Sequence, residues 1–206
     1  MQSRFKNLPY FLRNFLRIVL AKSVDAKDLY MIGHSKRVAQ YAREIARRLG
    51  KSEAEQCDIY AMGLLHDIGK IGVSEAIINK NGRLTDEEFA EIKKHPLKGY
   101  EILQKVKEIP ALATVARWHH ERYDGCGYPD GLSGETIPEE ARIIAVADAY
   151  DAMTSKRAYS DVRPQSQVRA EIERCKGSQF DPKIADVMLE MIDDDTEYKM
   201  HEGGSK

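Results

Sequence analysis

The sequence predicts an all-α protein, and three observations carry that expectation. Apolar residues recur at helical spacing along most of the chain. No pair of alternating runs has the pattern of a hairpin. Residues suited to helix caps stand where the periodic stretches begin and end. With 206 residues, 42% of them hydrophobic and 32% charged, the chain suffices for one domain with its own core plus a short extension. Its 32 basic and 33 acidic residues give a formal net charge of −1, so no general attraction to nucleic acid polymers or membranes is expected. Cys57, Cys126 and Cys175 are odd in number and lack metal-type spacing, which excludes a disulfide scaffold and a thiolate zinc site. No apolar run approaches the roughly 20 residues of a membrane span. The start lacks the apolar core of a signal peptide, and the cytoplasm is the expected location.

Residues 1–24 come first. Phe5, Leu8, Leu12, Phe15 and Val19 follow helical spacing opposite Lys6, Arg13 and Arg17, and the segment has no acidic residue. It is read as an amphipathic connector or dimerisation helix, with a membrane-surface helix as the alternative. The main domain, 25–192, is expected to hold helices at 28–49, 53–68, 85–106, 109–120, 137–158, 163–175 and 181–192. Gly50 and Gly69 suit C-terminal ends, Thr85 and Glu88 form a capping box, and Pro138 suits a first turn. The stretches 79–85 and 121–138 are rich in turn residues and read as loops, the second long enough to suggest a function. Residues 193–206 read as a polar tail that frays.

The histidines and aspartates give this bundle its chemistry. His34 shares an apolar stripe with Val38, Tyr41, Ile45 and Leu49, and His119 follows Leu112, Val115 and Ala116. His66 and Asp67 end an apolar helix, His95 precedes Pro96, and Asp148 and Asp151 lie one turn apart among apolar neighbours. Any one histidine could be a satisfied core residue. So many inward imidazoles and carboxylates together would carry a large desolvation cost, which helical bundles relieve by holding metal ions among converging side chains. Imidazole and carboxylate donors without thiolate suit iron or manganese, and also zinc, nickel or cobalt.

The order H…HD…H…HH…D, with HDIGK at 66–70, resembles the HD superfamily of metal-dependent phosphohydrolases. The string HHERYDGCGYPDGL at 119–132, followed by ADAYDAMTSKRAY at 147–159, is similar to the HD-GYP subfamily, and the match runs from about Asp28 to Ile192. The resemblance implies an HD-type bundle around a dinuclear metal site that hydrolyses cyclic di-GMP to linear pGpG or GMP by attack of a metal-bridging hydroxide. It puts His34, His66, Asp67 and Asp148 on a first metal. It makes Asp67 a bridge to a second metal on His95, His119 and His120. Lys70 would act in catalysis, facing the bridging water or a phosphate, and Asp151 and Arg157 would join it as substrate contacts. Gly127, Tyr128 and Pro129 would shape the site mouth or meet a partner; simple tight turns account for that loop equally well. A diguanylate cyclase domain, an upstream sensor or receiver module and a second copy of the chain are the implied partners. Two departures matter. Tyr30 stands where some members have a glutamate that holds a third metal, so two metals are expected. Ser160 stands where many have a basic substrate anchor, which leaves cyclic GMP-AMP open as substrate. A catalytically silent binding module is the rival from another class, and the complete set of seven ligands speaks against it.

Overall fold

The computed structural model describes residues 10–27, 33–106, 109, 111–155 and 162–202, with side chains of the first helix from Ile18 onward. Tyr30, Arg157, Ser160 and residues 1–9 lie outside the described residues. The elements in chain order are α1 (Tyr10–Asp25), α2 (His34–Arg48), α3 (Glu53–Leu65), a 3₁₀ turn (Ile68–Gly72), α4 (Glu75–Ile78), α5 (Asp86–Ile92), α6 (His95–Leu103), α7 (Ala111–Trp118), α8 (Glu139–Thr154), α9 (Gln165–Cys175) and α10 (Pro182–Asp194). No strand forms among the described residues, and the all-α expectation is borne out. No described helix is long and apolar enough to cross a membrane.

The centre of the bundle is α2. His34, Val38, Tyr41, Ala42 and Ile45 recur at intervals of three and four and are buried, while Lys36, Arg43 and Arg47 face out. This buried face meets α3 on one side and α8 on the other, so His34 ends up where three helices converge. α3 and α5 begin with the capping boxes Ser52–Glu55 and Thr85–Glu88, each satisfying two otherwise unpaired backbone amides.

Two expected helices are interrupted, and both breaks position histidines. The helix expected over 53–68 stops at Leu65, and His66 and Asp67 lead into the 3₁₀ turn. That turn lies directly on α6: a Cβ on Gly69 would sit 1.9 Å from the His95 carbonyl oxygen and 2.5 Å from the Gly99 amide nitrogen. The helix expected over 85–106 divides into α5 and α6. Pro96 has no N–H to give the Ile92 carbonyl four residues back, and its ring crowds that carbonyl, so a new helix starts at His95 with Pro96 in its first turn. The short helix α4 was not expected.

Both expected domain edges fall inside helices. The boundary at residue 24 falls inside α1, whose Ala21 and Val24 are buried in the main core while Val19 and Leu20 are exposed. The buried Asp25 accepts a hydrogen bond from Ser35 Oγ at 2.6 Å. At the other end, the residues after α10 fold back through 202. The Asp195 carboxylate accepts from the amides of Lys199 and Met200, and Tyr41 donates its hydroxyl to the Met200 carbonyl.

Replacing Gly69 with alanine would force the 3₁₀ turn away from α6. The expected cost is about 1–3 kcal/mol, as for overpacking elsewhere, measured as a lowered denaturant midpoint in the metal-free protein. Wild-type stability in Gly69→Ala would refute the close approach.

Candidate metal centre

Five imidazoles and Asp67 meet where α2, the ends of α3 and α7 and the start of α6 converge. His34, His66, His95, His119 and Asp67 are all buried, and His120 is half-buried. Asp67 lies at the middle, and its two oxygens face different neighbours. Oδ2 is 3.7 Å from His34 Nε2, 3.4 Å from His66 Nε2 and 2.7 Å from Lys70 Nζ. Oδ1 is 3.1 Å from His95 Nε2 and 3.7 Å from His119 Nε2. The donors form two groups that share Asp67: His34, His66 and Asp67, and Asp67, His95, His119 and His120, each with its ligand atoms within 4.8 Å of one another.

Helix ends set the direction of the imidazoles. The last carbonyls of a helix have no amide partner within it. His66 Nδ1 donates to the Gly63 carbonyl at 2.7 Å near the end of α3. His119 Nδ1 donates to the Ala116 carbonyl at 3.0 Å, with Val115 at 3.2 Å, near the end of α7. His95 Nδ1 takes the Ile92 carbonyl that Pro96 leaves unpaired, at 2.8 Å. A carbonyl only accepts, so each Nδ1 carries the proton and each Nε2 turns a bare lone pair inward. His34 reaches the same state through a carboxylate, with Nδ1 2.8 Å from Asp151 Oδ2. Asp151 is fully buried and also paired with Arg37 Nε at 2.6 Å.

Electrostatics favour the same protonation. Burial pushes His66 down to about 4 and also lowers His95. Burial, with His119 and His95 beside it, holds His120 well below the usual imidazole range. His34 differs: burial opposes its charge, but Asp151, Asp148 and Asp67 outweigh that and raise it. Burial would raise Asp67 too, yet Lys70 and His66 keep it well below the ordinary carboxylate range. Asp151, also opposed by burial, is pulled down to about 2 by His34 and Arg37.

This arrangement fits cations. His34 Nε2, His66 Nε2 and Asp67 Oδ1 are buried without a hydrogen-bond partner. His95 Nε2 and His119 Nε2 face one another at 3.3 Å. Lone pairs so close repel unless something positive lies between them. Donors sharing one ion at about 2.0–2.2 Å would stand roughly 3.0–3.5 Å apart, close to the separations around Asp67. The cluster is able to hold metal ions.

A family model described as the HD domain matches residues 19–184. The chain belongs to the HD domain family. Its HD dipeptide is the His66–Asp67 pair at the centre of the cluster. A cyclic di-GMP phosphodiesterase response regulator of Xanthomonas campestris is 41% identical over 172 residues, 82% of this chain and 46% of that protein. A 3'3'-cGAMP-specific phosphodiesterase of Vibrio cholerae is 38% identical over 177 residues, 85% of this chain and 34% of that protein. This HD domain chain therefore spans less than half the length of either. A crystal structure of a V. cholerae cyclic GMP-AMP phosphodiesterase has the same fold, with a TM-score of 0.68 at 20% identity over 88% of this chain and 49% of that one.

The site residues named from the sequence fall into three groups. The HD domain brings His34, His66, Asp67, His95, His119 and His120 together. Asp148 reaches the edge of this cluster, with Oδ1 3.4 Å from His34 Nε2 and its side chain partly exposed. Lys70 directs its ammonium to Asp67 Oδ2. Asp151 is a correction: a carboxylate fully buried behind His34 and paired with Arg37 cannot touch substrate. Two residues were missed. Arg37 stands one turn after His34, a spacing visible in the sequence. Glu121 stands in the HHE string, and its buried Oε1 accepts from the Asp130 and Gly131 amides at 2.7 and 3.1 Å. It ties the 121–138 loop to the end of α7.

The Asp151→Asn variant should bind Mn²⁺ about 10- to 100-fold more weakly, as loss of a carboxylate behind a ligand histidine does elsewhere. Competition with a chelating dye measures this. Unchanged Mn²⁺ affinity in this variant would refute the supporting role of Asp151 behind His34.

Proposed function

We propose that this chain is a dinuclear metal-dependent phosphodiesterase that hydrolyses a cyclic dinucleotide, with cyclic di-GMP as its substrate. The observation that carries this reading is the division of Asp67, one oxygen to each group of imidazoles. A first ion is assigned to His34, His66, Asp67 and Asp148, and a second to Asp67, His95, His119 and His120. Donors that are all nitrogen and oxygen suit iron or manganese, with zinc, nickel or cobalt also accommodated. Two such ions would supply Lewis acidity and would bring the pKa of a water down toward about 7.

The remaining roles belong to the chain. A cavity of about 520 Å³ opens beside the cluster, lined by His119, His120, Tyr128 and Asp148. That volume lies within the roughly 300–1,000 Å³ typical of small-molecule sites. Lys93, Arg122 and Arg163 also line it, and neither Lys93 nor Arg163 has an ion pair with a described carboxylate. Lys93 and Arg163 suit a ligand carrying two phosphodiester charges. Water adds to phosphorus, the bond to the 3' oxygen breaks, and that oxygen takes a proton. The product is a linear dinucleotide with a 5'-phosphate. Lys70, beside Asp67 and partly exposed, would stabilise charge growing on the phosphoryl oxygens.

The names of the two relatives divide between cyclic di-GMP and cyclic GMP-AMP, which supports testing both. Purified anaerobic protein loaded with Mn²⁺ or Fe²⁺ should linearise cyclic di-GMP, lose the activity to a chelator and regain it on metal addition. Asp67→Ala should lose both metals and turnover, and Lys70→Met should keep the metals while kcat falls about 10²- to 10³-fold, as for other lost transition-state donors. Full loading without turnover of either dinucleotide would overturn the enzymatic reading. Two metals retained by Asp67→Ala would overturn the bridge.

A further inference from the structure

The fifth imidazole of the cluster is held differently from the other four. His34, His66, His95 and His119 each fix their ring through a hydrogen bond from Nδ1. Neither ring nitrogen of His120 bonds a described residue. His120 follows the end of α7, and a ring there with no partner for its nitrogens could turn about its side-chain bonds.

Three aromatic rings contact this imidazole. Tyr128 stacks on it, with centroids 4.8 Å apart and planes 27° from parallel. His119 lies 4.1 Å away at 44°, and His95 meets it edge-on at 5.0 Å and 89°. Two of these three neighbours are themselves members of the cluster. Tyr128 is the contact from outside it, and its backbone amide also donates to the His120 carbonyl at 3.3 Å.

The tyrosine in turn is anchored by residues that the loop's sequence places around it. Gly127 lets the loop cross over its own start: a Cβ there would lie 2.4 Å from the Arg122 amide nitrogen and 2.5 Å from the Glu121 Cα. Glu121 grips the far side through the Asp130 and Gly131 amides. The Asp130 carboxylate accepts from Arg117 and from Trp118 Nε1 at 2.7 Å, both on α7. Lys93 sits 5.3 Å from the centre of the Tyr128 ring, an attractive placement of a cation over an aromatic face. The loop is thus tied at several points to the helix whose end carries His119 and His120.

We propose that Tyr128 is a positioning residue for His120. Its ring does for this imidazole what a hydrogen bond to Nδ1 does for the other four, holding Nε2 or Nδ1 toward the ion shared with Asp67, His95 and His119. The proposal rests on the assignment of His120 to that second ion. It gives the 127–129 segment a role inside the metal centre that needs no partner protein.

Mn²⁺ binding to the full chain, followed by calorimetry and electron paramagnetic resonance, tests this without turnover. Tyr128→Leu should weaken one class of site about tenfold, the size seen when outer support of a ligand is lost, and leave the other class unchanged. Tyr128→Phe, which keeps the ring, should bind as wild type. Tyr128→Met serves the same purpose should the leucine variant fail to fold. In the metal-free protein, the His120 ring signals in ¹⁵N spectra should broaden or shift in the leucine variant and not in the phenylalanine one. His120→Ala is the reference for the site itself. Weaker binding in His120→Ala with wild-type binding in Tyr128→Leu would overturn the positioning role alone. Loss in Tyr128→Phe equal to that in Tyr128→Leu would overturn it as well, because the hydroxyl and not the ring would then matter. Unchanged binding in His120→Ala would overturn the second-ion assignment and the proposal with it.

Discussion

Everything around the centre of this HD domain answers to one buried carboxylate. An ionised aspartate removed from water is costly unless cations or hydrogen bonds surround it. Asp67 lies where the ends of α3 and α7 and the starts of α2 and α6 converge, with Lys70 on one oxygen and imidazoles around both. The turn at Gly69, the restart at Pro96 and the approach of α6 to the 3₁₀ segment all bring groups to it. The fold is organised to gather metal-type donors around this carboxylate, and the apolar core supplies the rigidity that keeps them there.

A second layer of contacts makes the cluster directional. Asp151 and Arg37 stand behind His34, backbone carbonyls behind His66, His95 and His119, and the 121–138 loop behind His120. The inner residues alone do not dictate which nitrogen faces inward. The outer ones do, and they come from parts of the chain that have no other reason to be so polar in a buried setting. Glu121 illustrates this: a buried carboxylate whose visible work is to hold two loop amides.

Much of this could be read in the sequence because helical periodicity fixes faces. The stripe through His34, Val38, Tyr41 and Ile45 placed that imidazole inward, and Leu112, Val115 and Ala116 did the same for His119. Periodicity does not reveal where a helix stops if the apolar pattern runs on. The stretch 85–106 keeps its pattern through Pro96, and only the lost amide divides it. Nor does spacing separate Asp148 from Asp151, which share a helix face to within about 60°. Which of them meets the open cavity and which lies behind His34 depends on how α8 packs against α2. The fold-back after α10 depends on Asp195 capping amides at positions with no apolar signal. Tyr128 was legible as part of a motif, but its stacking partner emerges only when the loop is seen returning across Glu121 and Arg122.

The carbonyls that hold His66 and His119 lie in the last turns of their helices. Each imidazole therefore acts as a side-chain cap, closing α3 and α7 from within the cluster. The local order of the two helix termini and the orientation of the metal-facing nitrogens become one equilibrium. Fraying at residues 63–66 or 115–119 releases a ring, and an ion held at Nε2 opposes that fraying. Loading the centre would then be visible far from any metal spectrum, as slower amide hydrogen exchange in the last turns of α3 and α7.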